Sequence, residues 1–524
     1  MRKVWLASLV ILLTVLGAVP GSGVAAAAEK QVLRIGMDEL PILLDPPSIE
    51  AGDQDKASVI KALYEGLVRL DKNGKPVPGV AQSWTVGADG KTYTFKLRTN
   101  AKWSNGKKLK AADFVYAWKQ ALTPGREAGY LYKMYYVAGA ESYHTGKVKD
   151  FTKVGVKAID DSTLKVTLKG KYAYFPSLLA EPIYFPVSQE AKEAAGITNG
   201  PFQLQSRSIT EIKLVKNPYY YGAATIRLSE VDLLSPLGQK SENATEAFVN
   251  GQVDWVGGGN TRIDFGYRNR FAENDYLYAP YASTYYYQFN LKQKPFSNIN
   301  IRKALALAID QDEMPMAIPA YGFVPWTLFG SRAQYRAEVS DTAFDRSNAN
   351  KAKELLAKGL KQEGLTALPP FTVIVNEGDE HAVFAEMIVQ QWNEKLGVSA
   401  TIKLQNWQTV LANLQSGSFQ IARTGWTADY NDPATFLNFF RTDSTDNDSG
   451  WSNKTYDQYV KQAEQTFDAA KRVQLYTKAE QLLIKEAVMI PVYNYVVDIL
   501  RNPQIAGVYI DYDGSIAFSR GYWK

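Results

Sequence analysis

The segment Gln420–Phe440 combines the residue types that a charged, extended ligand would need. Its first half alternates in side-chain character as a β-strand does, and an Asn-Asp-Pro sequence then breaks the pattern. The strand carries a cation, Arg423, and a glycine, Gly425, where another backbone could approach; it also carries an indole, Trp426, and an anion, Asp429, follows. A zwitterionic, strand-like molecule such as a free peptide has complementary groups. The structural alternative is a surface pair of charges beside a core tryptophan.

Two histidines and no cysteine limit the chemistry of this chain. The lack of cysteine excludes disulfides, zinc–thiolate sites, iron–sulfur clusters and a thiol nucleophile. His144 and His381 stand in contexts unlike a nucleophile elbow or a zinc-protease helix, and so few histidines disfavour a transition-metal site. The 54 acidic residues leave a carboxylate pair for glycoside hydrolysis open, with no positive sign of one. We therefore expect no enzymatic activity and no cofactor or metal.

Length and composition indicate two or three globular lobes. The 524 residues exceed what one core usually holds, and 46% apolar with 22% charged residues argues against disorder. The formal net charge of +5 becomes +3 once Arg2 and Lys3 leave with the leader described next, which gives no support for nucleic-acid binding. The 32 tyrosines and 11 tryptophans suit peptide or carbohydrate pockets as well as cores.

The first 28 residues have the three parts of a Sec signal peptide. A basic pair precedes an apolar run from Val4 to Val19, and small residues end at Ala28. A membrane anchor would need about 20 apolar residues, and Pro20 closes this run too early. We predict cleavage after Ala28 and a mature chain in the periplasm or cell-wall zone. It has no cysteine that could carry a lipid anchor.

Several shorter patterns predict local structure. Asp113 is placed to cap or begin a helix. The Asp-Asp-Ser sequence within Val154–Leu168 predicts a turn between two strands. Gly257-Gly258-Gly259 lacks the pattern of a phosphate-binding loop and predicts a flexible turn. Tyr285, Tyr287 and Phe289 fall on one face of a strand, and the alternation of strands and helices over 371–414 indicates an α/β fold.

The segment Gly425–Leu437 resembles the G-W-x-A-D-Y-N-x-P-x-x-F-L signature of the oligopeptide-binding proteins of ABC importers, which form family 5 of the extracytoplasmic solute-binding proteins. Further matches extend over nearly all of residues 31–524: Tyr64–Leu67, Pro78–Ala81, Asp89–Arg98, Trp103–Lys107, Ala112–Trp118, Tyr285–Asn290 and Ile301–Leu305. The resemblance implies an α/β, three-lobed fold of the periplasmic-binding-protein type (class II, cluster C). Two main lobes enclose a ligand cleft at a hinge, and an extra small lobe accompanies them.

The resemblance also implies how the chain is divided. Residues 1–28 form the signal peptide; lobe I combines 29–70, 185–281 and 491–524; the small lobe II is 71–184; and lobe III is 282–490. More than one strand would cross between lobes I and III, which is the condition for hinge closure around a ligand.

The resemblance further assigns ligand contacts. Asp429 would hold the α-ammonium of a peptide, and the backbone around Gly425, Trp426 and Thr427 would pair with its main chain. Arg423 and His381 would lie near its carboxylate, unless they are an internally satisfied arginine and a surface or capping histidine. Three aromatic residues would line the pockets for its side chains: Trp407, Trp426 and Tyr495. Tyr130 is the best candidate for a further contact, because its neighbourhood approaches the ligand in the family. Leu414 stands where some peptide binders have a second arginine, so recognition of the carboxylate end stays open.

The expected function is therefore capture of short peptides, with broad specificity because main-chain contacts do not distinguish side chains. The expected partners are a short peptide and an ABC-transporter permease, with the protein as a monomer and no nucleic acid. A dipeptide, a nickel chelate or an oligosaccharide is the alternative solute on the same fold; Asp429 favours a free amine, and the few histidines disfavour nickel. From other classes, a secreted hydrolase or a chaperone-like protein stays open.

Overall fold

The structure is a computed structural model and describes residues 31–524 except 51, 127–128, 192–194, 240, 264–269, 272–274, 312, 315–317, 321 and 340–347. The predicted signal peptide lies outside the described residues. The strands are β1 (Val32–Gly36), β2 (Val68–Leu70), β3 (Pro76–Pro78), β4 (Ala81–Val86), β5 (Thr92–Leu97), β6 (Val156–Asp160), β7 (Thr163–Thr167), β8 (Phe202–Arg207), β9 (Glu211–Lys216), β10 (Glu230–Leu234), β11 (Trp255–Val256), β12 (Tyr276–Phe289), β13 (Ile318–Pro319), β14 (Phe371–Asn376), β15 (Ala400–Gln405), β16 (Ile421–Thr427), β17 (Met489–Arg501), β18 (Ile505–Ala506), β19 (Tyr509–Ile510), β20 (Ile516–Ala517) and β21 (Tyr522–Trp523).

The α-helices alternate with these strands in the C-terminal half, as the sequence predicts. They are α1 (Gln54–Leu63), α2 (Ala111–Ala121), α3 (Ala140–His144), α4 (Phe175–Leu178), α5 (Pro236–Gln239), α6 (Ala244–Val249), α7 (Ile299–Ala308), α8 (Tyr335–Glu338), α9 (Ala349–Glu363), α10 (Asp379–Leu396), α11 (Trp407–Ser416), α12 (Ala434–Leu437), α13 (Lys454–Gln465) and α14 (Ala469–Lys485). In the part of the chain that the structure describes, no helix is both long and apolar enough to cross a bilayer.

A mixed sheet of eleven strands runs through the molecule in the order β15-β14-β16-β12-β17-β11-β1-β10-β9-β8, with β13 paired to β17 beside this path. The long antiparallel strands β12 and β17 join its two halves, because β12 also pairs with β16 and β17 also pairs with β11. The register between them shifts between Pro280 and Thr284, where the ladder is interrupted. Two continuous strands therefore connect the half-sheets.

The smaller sheet, β4-β5-β7-β6, is antiparallel. This sheet and the start of α2 confirm two local predictions. β6 and β7 pair on either side of the Asp-Asp-Ser turn. Asp113 lies in the first turn of α2, where its Oδ2 accepts a hydrogen bond of 2.8 Å from the backbone N–H of Lys110. This bond satisfies a donor that the helix itself leaves free.

The half-sheet of β12, β14 and β16 is covered on both faces. Tyr285, Tyr287 and Phe289 pack into a core with residues of α7, α9 and α10, as their spacing predicts. Tyr286 points to the other face and is equally buried, with its ring 5.1 Å from that of Phe323. Because both faces are covered, a run of consecutive aromatic residues is fully buried in one strand.

The Gly257-Gly258-Gly259 segment is a closely packed turn. All three residues have positive φ angles, of 98°, 85° and 61°. A Cβ atom on Gly257 would lie 1.9 Å from the carbonyl oxygen of Asp498, and one on Gly259 would lie 1.8 Å from Oδ1 of Asp55. Glycine is therefore required here for space as well as for backbone angle.

Candidate functional site

β16 has one edge that is only partly paired. On one side, β12 pairs with all of its residues from Ile421 to Thr427. On the other side, β14 pairs only with Ile421 and Ala422. Within the described residues, the stretch 423–427 therefore has no neighbouring strand on that side. An open edge of this kind is a template for another extended chain.

Arg423 lies at one end of this open edge and is only 5% exposed. Its Nη1 donates to Oδ1 of Asn376 at 2.6 Å, and its Nη2 donates to the hydroxyl of Tyr495. The guanidinium stands 4.4 Å from the centre of the Tyr285 ring. Its Nε is buried and has no hydrogen-bond partner in the described part of the chain. These contacts surround the cation with neutral groups, so its charge suits an incoming carboxylate.

His381 belongs to the same group of residues. Its ring lies 5.7 Å from that of Tyr285, and its buried Nδ1 has no partner among the described residues. Burial lowers the pKa of His381 to about 3, and the charges of Arg423 and Arg262 act in the same direction. The ring is therefore neutral at neutral pH. Leu414 packs in a small core instead, with Val410 and Phe419 among its neighbours.

Asp429 follows the other end of the open edge and is half-buried. Its Oδ1 accepts a hydrogen bond of 2.6 Å from the hydroxyl of Tyr132. Burial raises the pKa of the Asp429 carboxyl, while Lys133 and Tyr132 oppose that effect. Lys133 donates to the Asp429 carbonyl oxygen at 2.5 Å and to Oε2 of Glu181 at 3.0 Å, and its Nζ lies 3.4 Å from the centre of the Tyr130 ring.

A small cavity of about 20 Å³ lies beside this group. Segments from all three predicted lobes line it, including Asp53, Glu181, Thr427, Ala428 and Asp513. The structure thus brings the end of β16 together with residues that are far away in sequence.

The charges around Asp429 are mainly negative. Glu181 accepts hydrogen bonds from Lys133 and from the hydroxyl of Tyr512. Lys61 pairs with Asp513 at 2.7 Å and with Asp511 at 2.9 Å. Among these described residues, Lys133 and Lys61 therefore stand against four carboxylates: Asp429, Glu181, Asp511 and Asp513. Asp53 of the same cavity is paired with Lys56 at 2.6 Å. The surplus of negative charge suits an ammonium group.

The predicted aromatic contacts divide into two groups. Tyr495 joins the Arg423 group, and Tyr130 joins the Asp429 group. Trp426 is half-buried between the two ends; its Nε1 donates to the Thr435 carbonyl oxygen at 2.9 Å, which fixes the indole against the protein. Trp407 begins α11, is 41% exposed and joins neither group in the described part of the chain.

The unpredicted residues of the site include Tyr132, Lys133, Glu181, Asn376 and Tyr285. Tyr132 lies in an aromatic run of the sequence, and Tyr285 lies in a segment that the family resemblance had already singled out. The other three had no signal in the sequence, because lysine, glutamate and asparagine are usually exposed.

The family model of the bacterial extracellular solute-binding proteins, family 5, matches residues 75–448 of this chain. The chain belongs to this family. The oligopeptide-binding protein OppA of Bacillus subtilis (strain 168) is 33% identical over 526 residues, which cover 96% of this chain and 95% of that protein. The predicted family and fold class are confirmed, whereas the boundaries of the lobes and the roles of the site residues stay predictions.

Two solved structures of similar proteins differ in how well they match this member of family 5. The unliganded open form of MppA, a periplasmic murein tripeptide-binding protein, matches with a TM-score of 0.82 at 28% identity, covering 95% of this chain and 98% of that one. Haemophilus influenzae OppA in complex with the peptide RPPGFSPFR matches with a TM-score of 0.68 at 28% identity, covering 94% and 99%. Identity and coverage are nearly equal, so this chain is more similar in overall structure to the unliganded open form of MppA than to the peptide complex of OppA.

Proposed function

We propose that this protein captures short peptides between lobes I and III and delivers them to the permease of an ABC importer. The observation that carries the proposal is the open edge of β16, which has a buried cation at one end and a half-buried carboxylate at the other. A peptide offers the complement of all three features: an extended main chain, a carboxylate and an ammonium. The names of the peptide-binding relatives support the same ligand class.

The ammonium of the peptide binds Asp429 in this proposal. A buried ammonium needs a carboxylate because its desolvation otherwise costs several kcal/mol. Oδ1 of Asp429 is already held by Tyr132, so the carboxylate is oriented before the ligand arrives. Tyr130 and the half-buried Trp426 provide the aromatic surfaces for side chains near this end.

The main chain of the peptide pairs with the backbone of Gly425, Trp426 and Thr427 as an added strand. Six residue steps separate Arg423 from Asp429, which corresponds to at most about 20 Å of extended chain. A ligand that reaches both charged groups directly is therefore at most about six residues long. Because the pairing uses backbone groups, it accepts many sequences.

The carboxylate of the peptide lies near Arg423 and His381. Tyr495 and Asn376 hold the guanidinium in place through its two Nη atoms. This arrangement leaves the Nε of Arg423 and the Nδ1 of His381 without partners in the described residues. The Nε–H can donate a hydrogen bond to a ligand or its bound water, and the Nδ1 can donate or accept one according to its tautomer.

Hinge closure about β12 and β17 completes the site. The interruption of their ladder between Pro280 and Thr284 gives a place where the two half-sheets can rotate. A peptide that contacts both halves stabilises the closed arrangement, and a permease that prefers this arrangement then recognises the loaded protein. The protein acts without catalysis, as an exported monomer without a lipid anchor.

Native mass spectrometry of the protein as purified tests this proposal. We expect adducts whose masses correspond to a mixture of short peptides, because an enclosed ligand often remains bound during purification. The Asp429→Asn variant, prepared in parallel, is expected to carry far less of this material. Adducts that correspond to sugars, metal chelates or bile acids would refute the proposal, as would peptides bound equally by the variant.

Peptide binding at about pH 5 is expected to take up protons through His381. In the protein without ligand, the pKa of His381 is about 3, well below the ordinary value of 6.5, so the ring is neutral at pH 5. A ligand carboxylate nearby raises the pKa and favours the charged ring. Calorimetry in two buffers of different ionisation enthalpy measures the uptake, and the His381→Gln variant isolates it from the opposite contribution of Asp429. Equal uptake by the variant would exclude this role.

A further inference from the structure

A second cavity, of about 430 Å³, lies away from β16. It is bounded by α1 and the following segment, by Phe185 and Tyr220, and by the hairpin of β19 and β20. Its volume falls in the range of pockets that hold small organic molecules. Lys61 and Tyr512 belong to its wall, and both also contact the carboxylates near Asp429, so the two sites lie on either side of these residues.

Glu65 is the acidic group of this cavity that lacks a full set of partners. The residue is 6% exposed, and its Oε1 accepts a hydrogen bond of 3.1 Å from the hydroxyl of Tyr220. Its Oε2 is buried and has no hydrogen-bond partner in the described residues. Burial raises the pKa of this carboxyl, while the neighbouring Tyr221 hydroxyl and the charge of Arg69 oppose the effect. A buried carboxylate oxygen of this kind requires a donor.

Arg69 provides an adjacent cation. Its Nε lies 3.7 Å from Oε1 of Glu65, too far for a hydrogen bond, and has no other partner in the part of the chain that the structure describes. Arg520 also lines the cavity, and its Nη1 makes a long contact of 3.3 Å with the Thr225 hydroxyl. By contrast, the Lys61 ammonium is held by Asp511 and Asp513.

Beside aliphatic residues and the charged Asp71, Lys72 and Asp511, the wall also contains five aromatic residues: Tyr64, Phe185, Tyr220, Tyr509 and Tyr512. Such rings favour a ligand with an apolar or aromatic body. Glu65 and Arg69 determine which polar groups the other end of the ligand must carry. An acid and a cation lie side by side here, whereas in the cleft Asp429 and Arg423 are six residues apart. An α-amino acid presents its ammonium and carboxylate next to each other, but a peptide separates them.

We propose that this cavity is a second binding site, for a single free amino acid with an apolar or aromatic side chain. Its carboxylate binds Arg69 and Arg520, its ammonium binds Glu65, and its side chain packs against the tyrosine rings. The proposal does not depend on the ligand of the cleft, because none of its charged binding groups, Glu65, Arg69 and Arg520, belongs to the Asp429 or the Arg423 group.

Isothermal titration calorimetry of the mature protein tests the site with three probes of similar size. L-Phenylalanine carries both charged groups, 3-phenylpropionate lacks the amine and 2-phenylethylamine lacks the carboxylate. We expect phenylalanine to bind with a stoichiometry of one and each analogue to bind about 10- to 100-fold more weakly. The Asp429→Asn variant is expected to bind phenylalanine as the wild type does, which separates this site from the cleft.

Variants of the cavity complete the test. We expect Arg69→Gln and Arg520→Gln each to weaken phenylalanine binding about tenfold or more. Arg520 is exposed, so its substitution does not put folding at risk. Arg227→Gln is the matched control, because Arg227 is exposed, stacks on Tyr522 and lies outside the cavity. Undetectable binding would mean that the cavity holds only water. Binding that Asp429→Asn abolishes, or that the cavity variants leave unchanged, would also overturn the proposal.

Discussion

Replacing Asp429 by asparagine is expected to weaken the binding of a short peptide with a free amino terminus by about 2–5 kcal/mol, or roughly 30- to 5,000-fold. The substitution leaves the ligand ammonium desolvated and without its counter-ion. The unliganded protein should keep its melting temperature, because asparagine retains an acceptor for the Tyr132 hydroxyl and that hydroxyl belongs to a side chain that is 44% exposed. Calorimetry with one defined peptide measures the change in affinity.

Two controls make the result specific to the ammonium. Asp443→Asn removes another carboxylate from the same part of the chain, but Asp443 pairs with Arg441 and its side chain is 72% exposed. We expect that variant to bind peptide normally. An N-acetylated peptide should bind the wild type weakly and lose little further affinity in Asp429→Asn. Undiminished binding of the free-amine peptide would remove Asp429 from the site.

The sequence predicts the two ends of the site because both lie on one contiguous segment. Alternation along β16 gives the strand, and the family signature marks Asp429 within it. Tyr132 and Lys133 could not be predicted as partners of Asp429, since 297 and 296 residues separate them from it. Nothing local in the sequence indicates that Lys133 is buried, because lysine is ordinarily one of the most exposed residues.

In the fold, too, features set by neighbouring residues could be predicted from the sequence, whereas features set by distant segments could not. The caps and turns at Asp113 and between β6 and β7 depend on neighbouring residues, and the structure confirms them. The partial pairing of β16 depends on where β14 diverges from it, which is a property of distant segments. Trp407 shows the limit of a carried-over role: it begins α11, but its side chain is exposed and joins neither group of site residues in the described part of the chain.

Replacing Lys133 by methionine is expected to lower the free energy of unfolding by about 3–5 kcal/mol. The side chains of Lys133 and Glu181 are only 2% and 7% exposed and form an ion pair of 3.0 Å. Methionine preserves the length of the side chain but leaves Glu181 buried without this cation. Glu181 cannot reach water, so either its unpaired charge or its protonation lowers the free energy of unfolding. Urea denaturation of the unliganded protein measures the loss.

The surface pair of Lys107 and Glu190 is the matched control. Its nitrogen and oxygen lie 2.6 Å apart, but the side chains are 64% and 52% exposed. We expect Lys107→Met to change the free energy of unfolding by less than about 1 kcal/mol. The double variant Lys133→Met/Glu181→Gln removes the stranded charge and should recover part of the loss. If Lys133→Met were as mild as Lys107→Met, the buried ion pair of Lys133 and Glu181 would contribute little to the stability of the segment that contacts Asp429. The pre-oriented ammonium site would then require another support.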